Sequence, residues 1–144
     1  MTAQDLHGYY FEDLEVGLSA TFGKTFTDAD VLMFAAVSGD TNPSHLNEEF
    51  AATTRVRTRV VHGMLTASLI SAVLGTRLPG PGCLYVSQSV NFRAPVRAGD
   101  TVTARVVVSG LRPEKNFAEF ETTCTVDGAT VVDGSALIWV PSRG

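Results

Sequence analysis

Apolar and polar positions change rhythm once along this chain, close to residue 80. Beyond it the pattern has the two-residue period of strands: Leu84 to Arg93, Thr101 to Leu111, Asn116 to Val126 and Thr130 to Val140. The breaks between them are Ala98-Gly99-Asp100, Arg112-Pro113-Glu114-Lys115 and Asp127-Gly128. The Asp-Gly pair signals a two-residue hairpin, since both residues of that turn need positive φ. Short connections make successive strands antiparallel, so this half of the chain predicts a four-strand antiparallel meander.

Before residue 80 the spacing is mostly helical. After a first strand from Ala20 to Phe26, Thr27 is placed to cap a helix whose first turn holds Asp28 and Asp30. Helix 28–38 would bury Val31, Phe34, Ala35 and Ser38 at three- and four-residue steps. Leu46 to Thr54 predicts a short helix capped by Asn47. A long helix follows over about residues 64–77, where Met64, Ala67, Ser68, Ser71, Ala72 and Gly75 form a small-residue face opposite Leu65, Leu69 and Val73. It carries almost no charge, which predicts a buried helix with a sheet closing on its small face. Leu78-Pro79-Gly80-Pro81-Gly82 ends it. The economical fold is therefore α+β, an antiparallel β-sheet wrapped around a long central α-helix. Residues 1–10 read as a flexible N-terminal arm and residues 11–144 as one domain.

Composition narrows the function. The 144 residues are 44% apolar and 18% charged, ordinary for a compact domain, and the net charge of -4 argues against general nucleic-acid binding. Cys83 and Cys124 have neither metal-ligand spacing nor the density of a disulfide scaffold, so both are expected as free thiols in a reducing compartment. No apolar run is long enough to span a bilayer, and the N-terminal residues lack the basic-then-apolar pattern of a signal peptide; the expectation is a cytoplasmic protein without membrane contact.

The candidate chemistry centres on Ser38-Gly39-Asp40-Thr41-Asn42-Pro43-Ser44-His45. Pro43 interrupts the helix, and a carboxylate and an imidazole five positions apart in a bent loop can converge on one bound water or substrate. The same composition also suits an ordinary turn. Gly63 begins the long helix, whose first N–H groups have no intrahelical partner and attract a developing negative charge; a tight turn is the competing reading. Ser71, a little over two turns on, either orients Asp40 or bonds back to its own helix. His62 reads as a second acid or base, or as a structural histidine. A metal held by Asp40, His45 and His62 lacks a clear ligand pattern. Arg55, Arg57 and Arg59 form a basic connector, either a solvated face or a phosphate contact. Nucleophile elbows, Walker loops, dinucleotide glycine patterns and His-Glu-x-x-His are all missing.

Taken together, Ser38-Gly39-Asp40-x-Asn42-Pro43-x-His45-Leu46, Val61-His62-Gly63-Met64-Leu65-x-Ala67-Ser68, Leu84-Tyr85-x-x-Gln88-Ser89-x-x-Phe92, Pro95-Val96 and Gly99-Asp100-x-Val102 resemble the MaoC-like dehydratases. Within that family they resemble specifically the (R)-specific enoyl-CoA hydratases with a single hot-dog domain, over about residues 14–140. The resemblance implies a hot-dog fold, a homodimer joined sheet edge to sheet edge, and reversible addition of water to a trans-2-enoyl-CoA to give the (R)-3-hydroxyacyl-CoA. It implies that Asp40 and His45 activate the water, that the Gly63 N–H takes the thioester oxygen and that Ser71 supports Asp40. No metal or redox cofactor is implied; coenzyme A arrives as part of the substrate, with Arg55, Arg57 or Arg59 as candidate phosphate contacts. Alternatives within reach are a related dehydratase of branched or dicarboxylic acyl-CoA or of acyl-carrier-protein thioesters, and a hot-dog thioesterase. A non-catalytic acyl-CoA-binding subunit is disfavoured by the presence of both Asp40 and His45.

Overall fold

The computed structural model describes residues 1–144. Five strands form one antiparallel sheet: β1 (Ser19–Thr25), β2 (Leu84–Phe92), β3 (Thr101–Arg112), β4 (Phe117–Val126) and β5 (Ala129–Trp139). The helices are α1 (Ala3–Leu6), α2 (Asp28–Ser38), α3 (Pro43–Leu46), α4 (Glu48–Ala51) and α5 (Gly63–Thr76). This is a hot-dog fold, with the sheet curled around α5.

Local chemistry sets the element boundaries. Thr27 caps α2 in a reciprocal box with Asp30: the threonine hydroxyl accepts the Asp30 N–H, and the Asp30 carboxylate accepts the Thr27 N–H. That backbone bond is the main reason the Asp30 carboxyl sits below its usual range. At the other end Gly39 adopts φ 80°, the left-handed cap that turns the chain out of the helix. Asp127 (φ 49°) and Gly128 (φ 81°) make the tight β4–β5 hairpin.

The sheet order is β1-β3-β4-β5-β2. This corrects the expected meander: β3, β4 and β5 do follow one another, but β2 pairs with β5 and stands at the opposite edge from β1. Residues 93–100 are a crossing segment rather than a hairpin, anchored where Val96 is buried and accepts the Val61 N–H at 2.7 Å. Alternation marks strands; it does not say which strands are neighbours.

Packing reverses the expected face of α5. Thr66, Leu69, Ile70, Val73 and Leu74 are buried, opposite Val102, Ala104, Val106 and Val108 of β3 and Ala118, Phe120 and Cys124 of β4. Met64, Ser68, Ser71 and Gly75 are exposed. Branched side chains remove more apolar area from water than small ones, so the bulky stripe takes the core. In α2 only Val31 and Ala35 are fully buried; Phe34 is half-buried and Ser38 is exposed.

The last residues of the N-terminal segment touch the body of the fold. The Gly8 and Tyr9 N–H groups donate to Pro81 and Pro79 carbonyls at 2.9 and 2.7 Å, and His7 stacks on Tyr10. A Cβ at Gly8 would collide with the Pro79 carbonyl oxygen, so the approach depends on glycine.

Candidate active site

Gly39 delivers the chain from α2 into a turn held by its own polar groups. The Asp40 N–H donates to Ser38 Oγ (3.1 Å), and Asp40 Oδ1 accepts the Asn42 N–H (3.3 Å), leaving Oδ2 free. Asn42 then caps α3, its side chain accepting the Ser44 N–H at 3.0 Å, with Pro43 in the first turn where it loses no hydrogen bond. The expected bent loop therefore contains a helical turn, and His45 rides on it.

The His45 ring is fixed by a bond from Nδ1 to the Val60 carbonyl oxygen at 2.8 Å. A carbonyl only accepts, so Nδ1 carries the proton and Nε2 presents its lone pair in the neutral ring. That Nε2 lies 4.0 Å from Asp40 Oδ2. The gap is too long for a direct hydrogen bond, but it admits one oxygen atom bonded to both at about 2.8 Å. His45 is largely shielded and the Asp40 carboxylate half exposed, with side-chain exposures of 12% and 50%.

Gly63 opens α5, so its N–H is free of the helix ladder. A Cβ there would stand 2.8 Å from the Phe92 ring, which makes glycine a packing requirement as well as a helix start. His45, Gly63, Thr66 and Phe92 line a cavity of about 650 Å³, with Arg55, Arg93 and Arg97 also on its wall. Asp40 is not among the residues of this wall; it meets the site through His45, whose Nε2 its Oδ2 faces. His62 and Thr66 are buried nearby, and His62 Nδ1 and Thr66 Oγ1 have no hydrogen-bond partner.

Other expected site residues fall elsewhere. Ser71 is exposed, makes no side-chain hydrogen bond and lines a second cavity of about 500 Å³ with Phe34, Met64, Tyr85 and Val86. The expectation of a buried hydroxyl at Ser71 is corrected: the rotation of α5 that buries Ile70 and Leu74 turns it outward, and within the single chain it bonds neither to Asp40 nor to its own helix. Arg59 is committed to the fold. Its Nε donates to the His45 carbonyl and its Nη2 to Asp28 Oδ1, both at 2.9 Å. Arg57 is exposed on a left-handed residue (φ 69°). Arg55 alone of the three reaches the cavity, where Arg93 and Arg97 join it. Sequence reasoning missed these two; the signal was two arginines flanking Ala94-Pro95-Val96. Arg93 is paired with Asp133 at 3.0 Å, whereas Arg97 makes no ion pair.

Asp40, His45 and His62 each offer a ligand atom within 4.8 Å of the others. The two imidazoles are stacked, with centroids 3.8 Å apart and planes 29° apart. An ion about 2.1 Å from both rings would sit out of their planes, so the donors suit acid–base work better than coordination. The cysteines offer no nucleophile: burial pushes the Cys124 thiol up to about 12 and raises that of Cys83, so both stay protonated at neutral pH. No helix is long and apolar enough to cross a membrane.

A carboxylate and a tautomer-fixed imidazole beside a free helix N-terminus, on a hot-dog scaffold, define a site of the hydro-lyase class. The chain belongs to the family of the MaoC like domain, which matches residues 15–130. It is 58% identical to an (R)-specific enoyl-CoA hydratase of Rhodospirillum rubrum over the full length of both chains. A 3-hydroxybutyryl-CoA dehydratase of Methylorubrum extorquens is 54% identical over 96% of this chain and 88% of its own. Among solved structures, the (R)-hydratase from Aeromonas caviae involved in PHA biosynthesis superposes with a TM-score of 0.87 at 47% identity, covering 90% of this chain and 99% of that one.

Proposed function

We propose that this enzyme adds water reversibly to trans-2-enoyl-CoA to give the (R)-3-hydroxyacyl-CoA, with Asp40 and His45 as the catalytic pair. The observation that carries this reading is the 4.0 Å spacing between Asp40 Oδ2 and His45 Nε2, both hydrogen-bond acceptors. A water between them donates one hydrogen to each, which turns its lone pairs toward Cβ of the substrate. Asp40 is the main base as oxygen bonds to Cβ. His45 Nε2 positions the water, receives the proton that Asp40 has taken up, and passes it to Cα. H and OH are added in sum, so both side chains regain their starting charge. Negative charge that gathers on the thioester oxygen meets the Gly63 N–H at the start of α5. The carbon that gains oxygen is oxidised and its neighbour that gains hydrogen is reduced by the same amount, so the reaction is redox-neutral and asks for no redox group, and coenzyme A is needed only as part of the substrate.

The test is loss of enoyl-thioester absorbance with crotonyl-CoA and longer trans-2-enoyl-CoAs, with chiral analysis of the product. Formation of the (R)-3-hydroxyacyl-CoA supports the reading. Release of free CoA without hydration replaces it with a thioesterase.

Arg55 and Arg97 on the cavity wall suit the phosphates of the substrate, because neither makes an ion pair with a carboxylate. Replacing both with Gln is expected to raise KM for crotonyl-CoA by about tenfold with kcat little changed, since these contacts are far from the reacting carbons and act equally on ground and transition states. Steady-state kinetics at low salt reads the effect, and an unchanged KM removes the two arginines from the substrate site.

A homodimer follows from the same reading. β2 is an edge strand that exposes Leu84, Tyr85 and Val86, and the adjacent face of α5 exposes Met64. An unpaired edge beside an apolar face is a template for a second sheet. Sedimentation is expected to show a dimer, and Val86→Asp to shift it toward monomer by placing a charge on that strand; a wild-type monomer at micromolar concentration would sink the assembly.

A further inference from the structure

His62 is not used in the mechanism above, yet it touches both members of the pair. Its Nε2–H donates to the backbone carbonyl of Asp40 at 2.9 Å, and its ring stacks on His45 at 3.8 Å between centroids. Phe34 lies against it, tilted by 57° at 4.7 Å, and the residue is 1% exposed. Because a carbonyl only accepts, the proton is on Nε2 and the bare nitrogen is Nδ1, buried without a partner. A phenylalanine would fill this space without leaving a buried lone pair unsatisfied, so packing alone does not account for histidine here.

The hydrogen bonds of the Asp40 turn supply the reason. Gly39, Asp40, Thr41 and Asn42 donate their N–H groups to Ala35, Ser38, Gly39 and Asp40, all within the same short stretch. The bond from His62 is the one hydrogen bond that ties residues 39–41 to a distant part of the fold. His62 is in turn the residue before Gly63, and Val61 on its other side is fixed by its bond to Val96. We propose that His62 is a positioning residue, which sets Asp40 in register with His45 and the Gly63 N–H through its Nε2–H bond to the Asp40 carbonyl. The proposal rests on the assignment of Asp40 and His45 as the catalytic pair.

Three substitutions separate positioning from packing. His62→Gln carries an amide donor to the place of Nε2, His62→Asn carries one that falls short, and His62→Phe keeps a stacked ring with no donor. Displacement of a catalytic group by about an ångström costs on the order of 10²-fold, so the Asn and Phe variants are expected to lose at least ~30-fold in kcat for crotonyl-CoA. KM should stay within about threefold, and His62→Gln should recover to within about fivefold of wild type. Thermal unfolding should rank His62→Phe no lower than His62→Gln, so activity and stability run in opposite order. The proposal is overturned if His62→Phe keeps more than about a third of wild-type kcat, or if a folded His62→Gln is no more active than His62→Asn. Should the Phe variant fail to fold, the Gln and Asn pair still decides. A nitrogen NMR spectrum of the wild type provides a check free of substitutions: Nε2 protonated and Nδ1 bare is required, and the opposite tautomer refutes the bond. If Asp40→Asn is fully active the catalytic assignment itself has failed; if Asp40→Asn is inactive while His62→Phe works, only the positioning role has.

Discussion

Asp40→Asn is expected to lower kcat for crotonyl-CoA hydration by about 10²–10⁴-fold while leaving KM and the unfolding temperature nearly unchanged. The substitution keeps what the turn needs, because the amide oxygen still accepts the Asn42 N–H as Oδ1 does now. It changes the atom that faces His45. Oδ2 becomes an amide nitrogen, which cannot take a proton from water and offers its own hydrogens to the His45 Nε2 lone pair 4.0 Å away. Water loses its base and competes with a direct side-chain contact for its place. The carboxylate is half exposed, so little folding energy rests on its charge. Steady-state kinetics beside thermal unfolding measures both effects, and a variant retaining a tenth or more of wild-type kcat would end the assignment of Asp40 as base.

His45→Asn should cost on the order of 10²-fold in kcat, for a different reason. An asparagine amide nitrogen lies near the position of imidazole Nδ1 and can keep the bond to the Val60 carbonyl, so α3 remains anchored. Everything beyond that atom is gone, including the Nε2 that would share the water with Asp40 and the ring that stacks on His62. His45→Gln puts its amide nearer to Nε2 but gives up the Val60 anchor, and an amide is no proton carrier at neutral pH. Both variants are therefore expected to be slow, with the Asn variant the more native in its thermal unfolding. Equal activity of either with wild type would leave the proton transfer to Asp40 alone.

The local elements were legible because their causes are local. Thr27 and Asp30 box the start of α2, Asp127-Gly128 turns a hairpin, and Gly63 begins α5 one residue from its expected start. What sequence left unread depends on distant partners. The β2 pairing rests on the route of residues 93–100, which no periodicity encodes. The buried side of α5 was decided by packing against β3 and β4, strands that begin more than twenty residues beyond the helix. Around the site, Asp40 and His45 stood out because they share one short segment, and the structure brings their side chains to 4.0 Å. Arg59 looked like one of three equivalent cations until Asp28, 31 residues away, and the His45 carbonyl claimed its guanidinium. Arg97 was passed over because it stands outside that cluster, and the exposed Ser71 was misplaced with the face of its helix.

The Arg59 contacts also make α2 a gauge. Asp28 sits at the first residue of that helix and Asp40 just past its last, while Arg59 joins Asp28 to the peptide of His45. Helix, turn, α3 and guanidinium thus close a ring in which the 11 residues of α2 are the stiff side. Each helical residue advances the chain by about 1.5 Å and turns it by roughly 100°. Inserting or deleting one residue anywhere in α2 would therefore swing the carboxylate away from the imidazole although neither was altered. Substitutions on the exposed side of α2, at Leu32, Met33 or Val37, leave that length untouched. Through this closed ring, the count of residues in one surface helix sets the bite of the acid–base pair.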